Sequence, residues 1–242
     1  MNPETVLVSD LGFRYGLGVF ETVMVRGGRA ELLEWHGEGL REGALALGLP
    51  EPQVPGREEV PCGDGVWRWF HTGTGTRQWW QEGVEAAPAS FALGRCVVPV
   101  HSAAWTARFK TLAYLGQVQN RPPGRDEEVV VTNEAGEVVS AAMGNLFWVR
   151  QGRLETAPHE AGCRKGTVRR WVMERGGMAV VEVRMGLERL AEAEEVLVTN
   201  SRVGIVPARC WPGREVAEVP GPVARSLRGR WREWMECSAA RG

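Results

Sequence analysis

Ala107-Arg108-Phe109-Lys110-Thr111-Leu112-Ala113-Tyr114-Leu115 is a largely apolar stretch that carries one amine. Lys110 and Lys165 are the only two lysines of the 242-residue chain, and apart from histidine every other basic side chain is arginine. Arginine replaces lysine wherever a solvated positive charge is enough. It cannot replace an amine that must lose its proton and attack a carbonyl, because a guanidinium stays charged. Apolar surroundings favour the neutral, nucleophilic form of an amine. The stretch therefore reads as the seat of a Schiff-base lysine that holds an aldehyde cofactor. Drift toward arginine that spared two surface lysines is the other explanation, and the lysine count leaves both open.

Upstream, Asp10-Leu11-Gly12-Phe13-Arg14-Tyr15-Gly16-Leu17-Gly18-Val19-Phe20-Glu21-Thr22 packs three glycines into a loop of tight turns or close backbone approach. Residues 6–8 read as a short strand, and residues 20–25 as a strand closed by the hairpin Arg26-Gly27-Gly28-Arg29. In residues 32–47, Leu33, Leu40, Ala44 and Leu47 share one helical face, Gly37, Gly39 and Gly43 weaken the helix, and Gly48 and Pro50 stop it. Residues 51–65 form a connection, 66–70 a strand and 71–76 a flexible turn, with further strands at 91–93 and 96–100. Residues 101–106, which follow the last of these strands and precede the lysine segment, read as a linker between an N-terminal α+β domain, 1–100, and a C-terminal one, 107–242.

Downstream, residues 110–119 read as a helix. Strands follow at 128–132, 138–139, 145–149, 180–183 and 195–199, and helices at 167–175, 187–193 and near the C-terminus from Pro220 to Cys237. Strict alternation of strand and helix is missing, so the class is α+β.

The bulk properties exclude more than they assign. A formal net charge of −1 implies no polyanionic or membrane-surface partner. No apolar run approaches the ~20 residues of a membrane helix, and the first residues lack a signal-peptide pattern. Cys62, Cys96, Cys163, Cys210 and Cys237 show neither metal-ligand nor redox spacing, so they read as free thiols in a reducing cytoplasm. The four histidines are as scattered, and no metal site is expected. Of the eleven tryptophans, several cluster at residues 66–80 and near the C-terminus, where they suit core or partner contact better than ligand stacking.

Two donor-rich loops follow the lysine. Arg164-Lys165-Gly166-Thr167-Val168-Arg169 opens a helix, whose first N–H groups and dipole suit a phosphate. Thr199-Asn200-Ser201 ends a strand in hydroxyl and amide donors. Each alone is equally an ordinary cap or polar turn. Together with the lysine they are what a phosphorylated aldehyde requires.

In joint order and spacing, these motifs resemble the class IV, fold type IV, pyridoxal-phosphate enzymes over nearly the whole chain. The glycine-rich stretch 10–22, Leu32-Leu33-Glu34-Trp35-His36, Lys110-Thr111, Ala142-Met143-Gly144-Asn145-Leu146-Phe147 and Gly162-Cys163-Arg164-Lys165-Gly166-Thr167-Val168-Arg169 carry the resemblance. Thr199-Asn200-Ser201-Arg202-Val203-Gly204-Ile205-Val206-Pro207 is most similar to the aminodeoxychorismate lyase branch. The resemblance implies two α+β domains with pyridoxal phosphate between them, and a homodimer acting on an amino-acid-like small molecule. It implies that Lys110 binds the aldehyde and shuttles protons, and that Thr167, Val168 and Ser201 hold the phosphate.

Three departures stand against the family pattern. Gly39 replaces an arginine that serves as a phosphate ligand, with Arg41 on a different helical face. Ser140 stands where a glutamate pairs with the pyridine nitrogen. Glutamate keeps that nitrogen protonated, whereas serine only hydrogen-bonds it, which weakens the electron sink and handicaps transamination more than elimination. Residues 71–80 diverge from the usual substrate segment. The expectation is a lyase that eliminates pyruvate from 4-amino-4-deoxychorismate to give 4-aminobenzoate on the folate route. The alternatives are a branched-chain or D-amino acid aminotransferase and a non-catalytic relative with a degenerate cofactor site.

Overall fold

The computed structural model describes residues 5–239. The chain divides into two compact units. One holds the residues up to Glu85 together with Phe109–Tyr114, and the other holds Ala86–Arg108 and the chain from Leu115 onward. The first unit thus ends before residue 100, and residues 101–106 lie inside the second.

The first unit contains α1 (Leu11–Tyr15), β1 (Gly18–Arg26), β2 (Arg29–Ala30), α2 (Leu33–Ala46), β3 (Gly65–Thr72) and β4 (Gly75–Glu82). Its sheet is antiparallel, in the order β2-β1-β3-β4. The expected hairpin joins β1 to β2, with Gly27 and Gly28 both at positive φ, as that tight turn demands. Val19, Val23 and Val25 alternate along β1 and meet Trp67 and Trp69 of β3 and Leu33, Leu40 and Ala44 of α2 in one core. The glycines of α2 are packing devices rather than flaws. A Cβ at Gly43 would lie 2.9 Å from Val19 Cγ1, so glycine lets the helix settle close on the sheet.

Two expectations fail here. Residues 6–8 form no strand. The stretch 71–76 is no flexible turn either: His71 and Thr72 end β3, and Gly75 and Thr76 begin β4. His71 is buried there, its Nδ1 bonded to Thr76 Oγ1 at 2.9 Å and its Nε2 to the Pro50 carbonyl at 2.8 Å.

The second unit contains β5 (Phe91–Arg95), α3 (Trp105–Arg108), α4 (Leu115–Asn120), β6 (Glu127–Thr132), β7 (Val138–Ala141), β8 (Asn145–Arg150), β9 (Arg153–Thr156), α5 (Thr167–Arg175), β10 (Val180–Glu182), β11 (Glu195–Asn200), β12 (Gly204–Trp211), β13 (Arg214–Glu215) and α6 (Pro222–Ala239). Nine strands form one mixed sheet, β10-β9-β8-β11-β12-β5-β6-β7, with β13 beside β12. Its core includes Leu146, Trp148, Val130, Leu190, Val198 and Trp211. Trp171 of α5 meets Trp231 and Trp234 of α6 with ring centroids 4.8 and 6.1 Å away, so the C-terminal tryptophans are packing residues.

The helix expected over 110–119 is confined to Leu115–Asn120, because residues 110–112 pair with β1 instead. Residues 96–100 form no strand, and only Val100 bridges to Asn133. The class is α+β, as expected. Among the described residues no helix is long and apolar enough to cross a membrane.

Candidate active site

In the first unit, the glycine-rich loop exists to seat the lysine segment. Gly16 sits at φ 71°, and a Cβ there would come 2.8 Å from Ala113 Cα. A Cβ at Gly18 would strike Leu112 Cδ1. With those side chains absent, the backbone of residues 110–112 lies along the start of β1. Phe20 N–H donates to the Lys110 carbonyl at 2.9 Å, and Leu112 N–H donates to the Gly18 carbonyl at 2.9 Å. Asp10 pins the loop from its other end. Its buried carboxylate accepts from Gly12 N–H at 2.6 Å, from Thr72 Oγ1 at 2.7 Å and from Thr74 Oγ1.

Lys110 is thereby held beside β1. Its amine lies 3.8 Å from Glu21 Oε2 and 4.9 Å from the centre of the Phe20 ring, with a quarter of the side chain exposed. Tyr114 meets the Phe20 ring edge-on at 5.1 Å. The surroundings are apolar, as expected, but they include a carboxylate that the sequence did not foretell. Glu21 also accepts from His36 Nδ1 at 2.7 Å. Burial pushes the Glu21 carboxyl up, yet the Lys110 charge, the His36 hydrogen bond and the Thr22 backbone N–H together hold it below its ordinary value. One signal could have exposed Glu21. Strand alternation puts it on the face of Val19 and Val23, and an acid on a core face requires a partner.

In the second unit, three loops converge on Asn145. Thr199 stands opposite it in the β8–β11 pairing. Asn145 Nδ2 donates to the Arg164 carbonyl at 2.8 Å and to Cys163 Sγ at 3.3 Å. A Cβ at Gly166 would overlap Asn145 Oδ1, and one at Gly144 would lie 2.7 Å from the Thr199 carbonyl. Close packing of the three loops therefore needs glycine at both positions. Asn200 ties the group further. Its amide donates to the Met143 carbonyl at 3.0 Å, and its Oδ1 accepts from the N–H groups of Arg202 and Val203 at 2.9 and 3.0 Å, turning the loop at Ser201.

Thr167 and Val168 begin α5 after Gly166, and no side chain caps that end. The first-turn N–H groups are thus left for a ligand or solvent. Thr167 is half-buried and Val168 buried, and Ser201 is half-buried in the neighbouring loop. The Thr199 hydroxyl is buried without a hydrogen-bond partner among the described residues. A helix start with free N–H groups, two hydroxyls nearby and glycine-tight backbone fits a phosphate. Ser140 lies on β7 opposite Val131, half-buried, ahead of the turn that leads to Asn145. Glu128 secures that turn, accepting from Met143 N–H at 3.1 Å.

The family model "Amino-transferase class IV" matches residues 80–211. An aminodeoxychorismate lyase of Vibrio harveyi is 25% identical over 262 residues, covering 94% of this chain and 96% of that one. The crystal structure of 4-amino-4-deoxychorismate lyase from Pseudomonas aeruginosa superposes with a TM-score of 0.81 at 25% identity, covering 95% of both chains. A Brucella abortus aminotransferase bound to the co-factor PLP superposes with a TM-score of 0.76 at 20% identity, covering 97% of this chain and 94% of that one. With more than half of its length matched by the family model, the chain belongs to the class IV aminotransferase family.

Proposed function

We propose that the protein is a pyridoxal-phosphate-dependent lyase that cleaves 4-amino-4-deoxychorismate to 4-aminobenzoate and pyruvate. The observation that carries this is Lys110, an amine fixed against the aromatic Phe20 by backbone pairing in a chain with just one other lysine. The likeness to lyases along nearly the whole chain supports the substrate.

Pyridoxal phosphate, when bound, supplies an electron sink for negative charge developing next to a substrate amine. The uncapped start of α5 would hold its phosphate through the N–H groups of Thr167 and Val168, with the Thr167 and Ser201 hydroxyls as further donors. Lys110 would hold the aldehyde, and its Nζ would serve as the base for the proton that must leave the substrate carbon. Ser140 would offer the pyridine nitrogen a neutral hydrogen bond where a glutamate would keep it charged. A weaker sink suits expulsion of a leaving group better than the longer-lived negative charge that amine transfer requires. The other face of the first-unit sheet suits an unsaturated ring acid. Phe20, Phe70 and Arg77 stand in one cross-strand row, with Phe20 and Phe70 stacked at 6.2 Å.

We propose further that it works on the folate route in the cytoplasm as a homodimer. In the second unit, the exposed apolar side chains Trp105, Leu115 and Val118 on α3 and α4 are a surface a second copy would cover. Light scattering on the purified chain tests the dimer.

Incubation with 4-amino-4-deoxychorismate tests the activity. Pyruvate should appear without any added keto acid, and Lys110→Ala should abolish its release. Amine transfer to a keto acid with no pyruvate from that substrate would make the protein an aminotransferase.

A further inference from the structure

The pairing of Lys110 with Glu21, and of Glu21 with His36, is not explained by cofactor binding alone. His36 is 1% exposed, set edge-on to Trp69 at 6.4 Å, and its Nδ1 holds Glu21 Oε2 at 2.7 Å. Its Nε2 is buried with no hydrogen-bond partner among the described residues. A neutral ring protonated at Nδ1 leaves only a lone pair unsatisfied there, and that tautomer donates to the carboxylate. Gly39, one turn further along α2, contributes no side chain. A Cβ there would lie 3.2 Å from Glu21 Oε1, so the missing side chain is what leaves Glu21 room in this position. No cation reaches the carboxylate from position 39, and its paired cation is the Lys110 amine.

We propose that Glu21, held in place by His36, is the positioning residue for Lys110: it fixes the amine against the Phe20 ring and sets the pH at which that amine becomes reactive. The role rests on Lys110 being the aldehyde-binding amine, as above. The groups facing the amine come from three places. Glu21 and Phe20 come from β1, His36 reaches it through Glu21 from α2, and Tyr114 follows it on its own segment. From β3, Trp69 stands opposite Glu21 and brings no charge. Glu21 sets its carboxylate 3.8 Å from the amine.

The lysine count makes this directly measurable. The full-length chain is freed of bound aldehyde with hydroxylamine and dialysed. It is then trace-labelled with acetic anhydride across a pH series, and the Lys110 and Lys165 peptides are quantified by mass spectrometry. Lys165 is exposed in the other unit and serves as the internal control. Glu21→Gln keeps the shape and an acceptor for His36 while removing the charge. It should lower the pH of half-maximal Lys110 labelling by about one to three units, the range for loss of an opposite charge at this distance, and leave the Lys165 profile unchanged. Glu21→Asp draws the charge back by one methylene and should give a smaller shift in the same direction. It also carries the test if the glutamine variant does not fold. An unchanged Lys110 profile in the folded variants would overturn the proposal, as would equal shifts at both lysines. Because the readout needs neither cofactor nor turnover, its failure is separate from failure of the lyase assignment, which pyruvate release decides.

Discussion

Replacing Gly166 by alanine should specifically damage the start of α5, the end proposed to hold the phosphate. Gly166 sits at φ −66° and ψ 148°, which alanine adopts freely, so no backbone strain is involved. The cost is steric. The added methyl overlaps Asn145 Oδ1, and relief requires Asn145 to swing away from the Arg164 carbonyl and Cys163 Sγ. Asn145 is buried, so its unpaired amide costs about 1–3 kcal/mol. The same movement releases the loop that aims the Thr167 and Val168 N–H groups. If the binding site bears that cost, affinity for pyridoxal phosphate falls by roughly ten- to a hundredfold, at about 1.4 kcal/mol per tenfold. The assay is an absorbance titration of the purified variant with pyridoxal phosphate, alongside thermal unfolding. Gly116→Ala is the control. It lies in α4 with nothing within 4 Å of a Cβ, and should leave affinity unchanged while raising stability by up to about 1 kcal/mol. A Gly166→Ala protein that binds the cofactor as tightly as wild type would refute the placement of the phosphate at this helix start.

Three other outcomes follow from the structure. On the proposed assignment of Ser140 to the pyridine nitrogen, Ser140→Glu should raise amine transfer to a keto acid by about tenfold or more, on the order of 1.4 kcal/mol of barrier, while pyruvate elimination falls; a coupled keto-acid assay reads both. Trp148→Ala removes a fully buried ring and its Nε1 donation to Glu155 at 2.8 Å, leaving that carboxylate to Arg150 and Arg153; denaturant unfolding should show a loss of about 3–5 kcal/mol. Burial raises the Glu128 carboxyl above its ordinary value, against the backbone hydrogen bonds from Val129 and Met143. The folded state then holds that proton more tightly than the unfolded chain, so this group's contribution to stability is present at low pH and lost as pH rises through its raised value. The difference in unfolding free energy between wild type and Glu128→Gln should shift in that direction across the acid range, and a pH-independent difference would count against it.

The parts of the fold visible in the sequence are those set by local pattern. The β1–β2 hairpin follows from its paired glycines, and α5 follows from a helix start after Gly166 and the Gly176-Gly177 stop. Strand β12 was not anticipated because Pro207 argues against a strand interior. In the structure Pro207 pairs opposite Leu197 beside β11, and an irregular register at residues 208–210 lets β12 run on alongside β5. The helix expected from Lys110 onward gave way to tertiary pairing, since residues 110–112 satisfy their backbone groups on β1, far away in sequence. The site divides similarly. Lys110 stood out by composition and the helix start at Thr167 by its local pattern. Glu21 and His36 sat inside recognised motifs without a role, because their meeting depends on how closely α2 lies on β1 at Gly39, which no local rule reports.

The central claim is that one amine, Lys110, binds an aldehyde. It is tested most directly by adding pyridoxal phosphate to the purified wild-type chain and to Lys110→Ala, recording absorbance, reducing with borohydride and mapping the modified peptide. A new imine band in wild type, its absence in the variant and a pyridoxyl group on Lys110 are the expected results. No band in wild type, or a pyridoxyl group on Lys165 alone, would contradict the account.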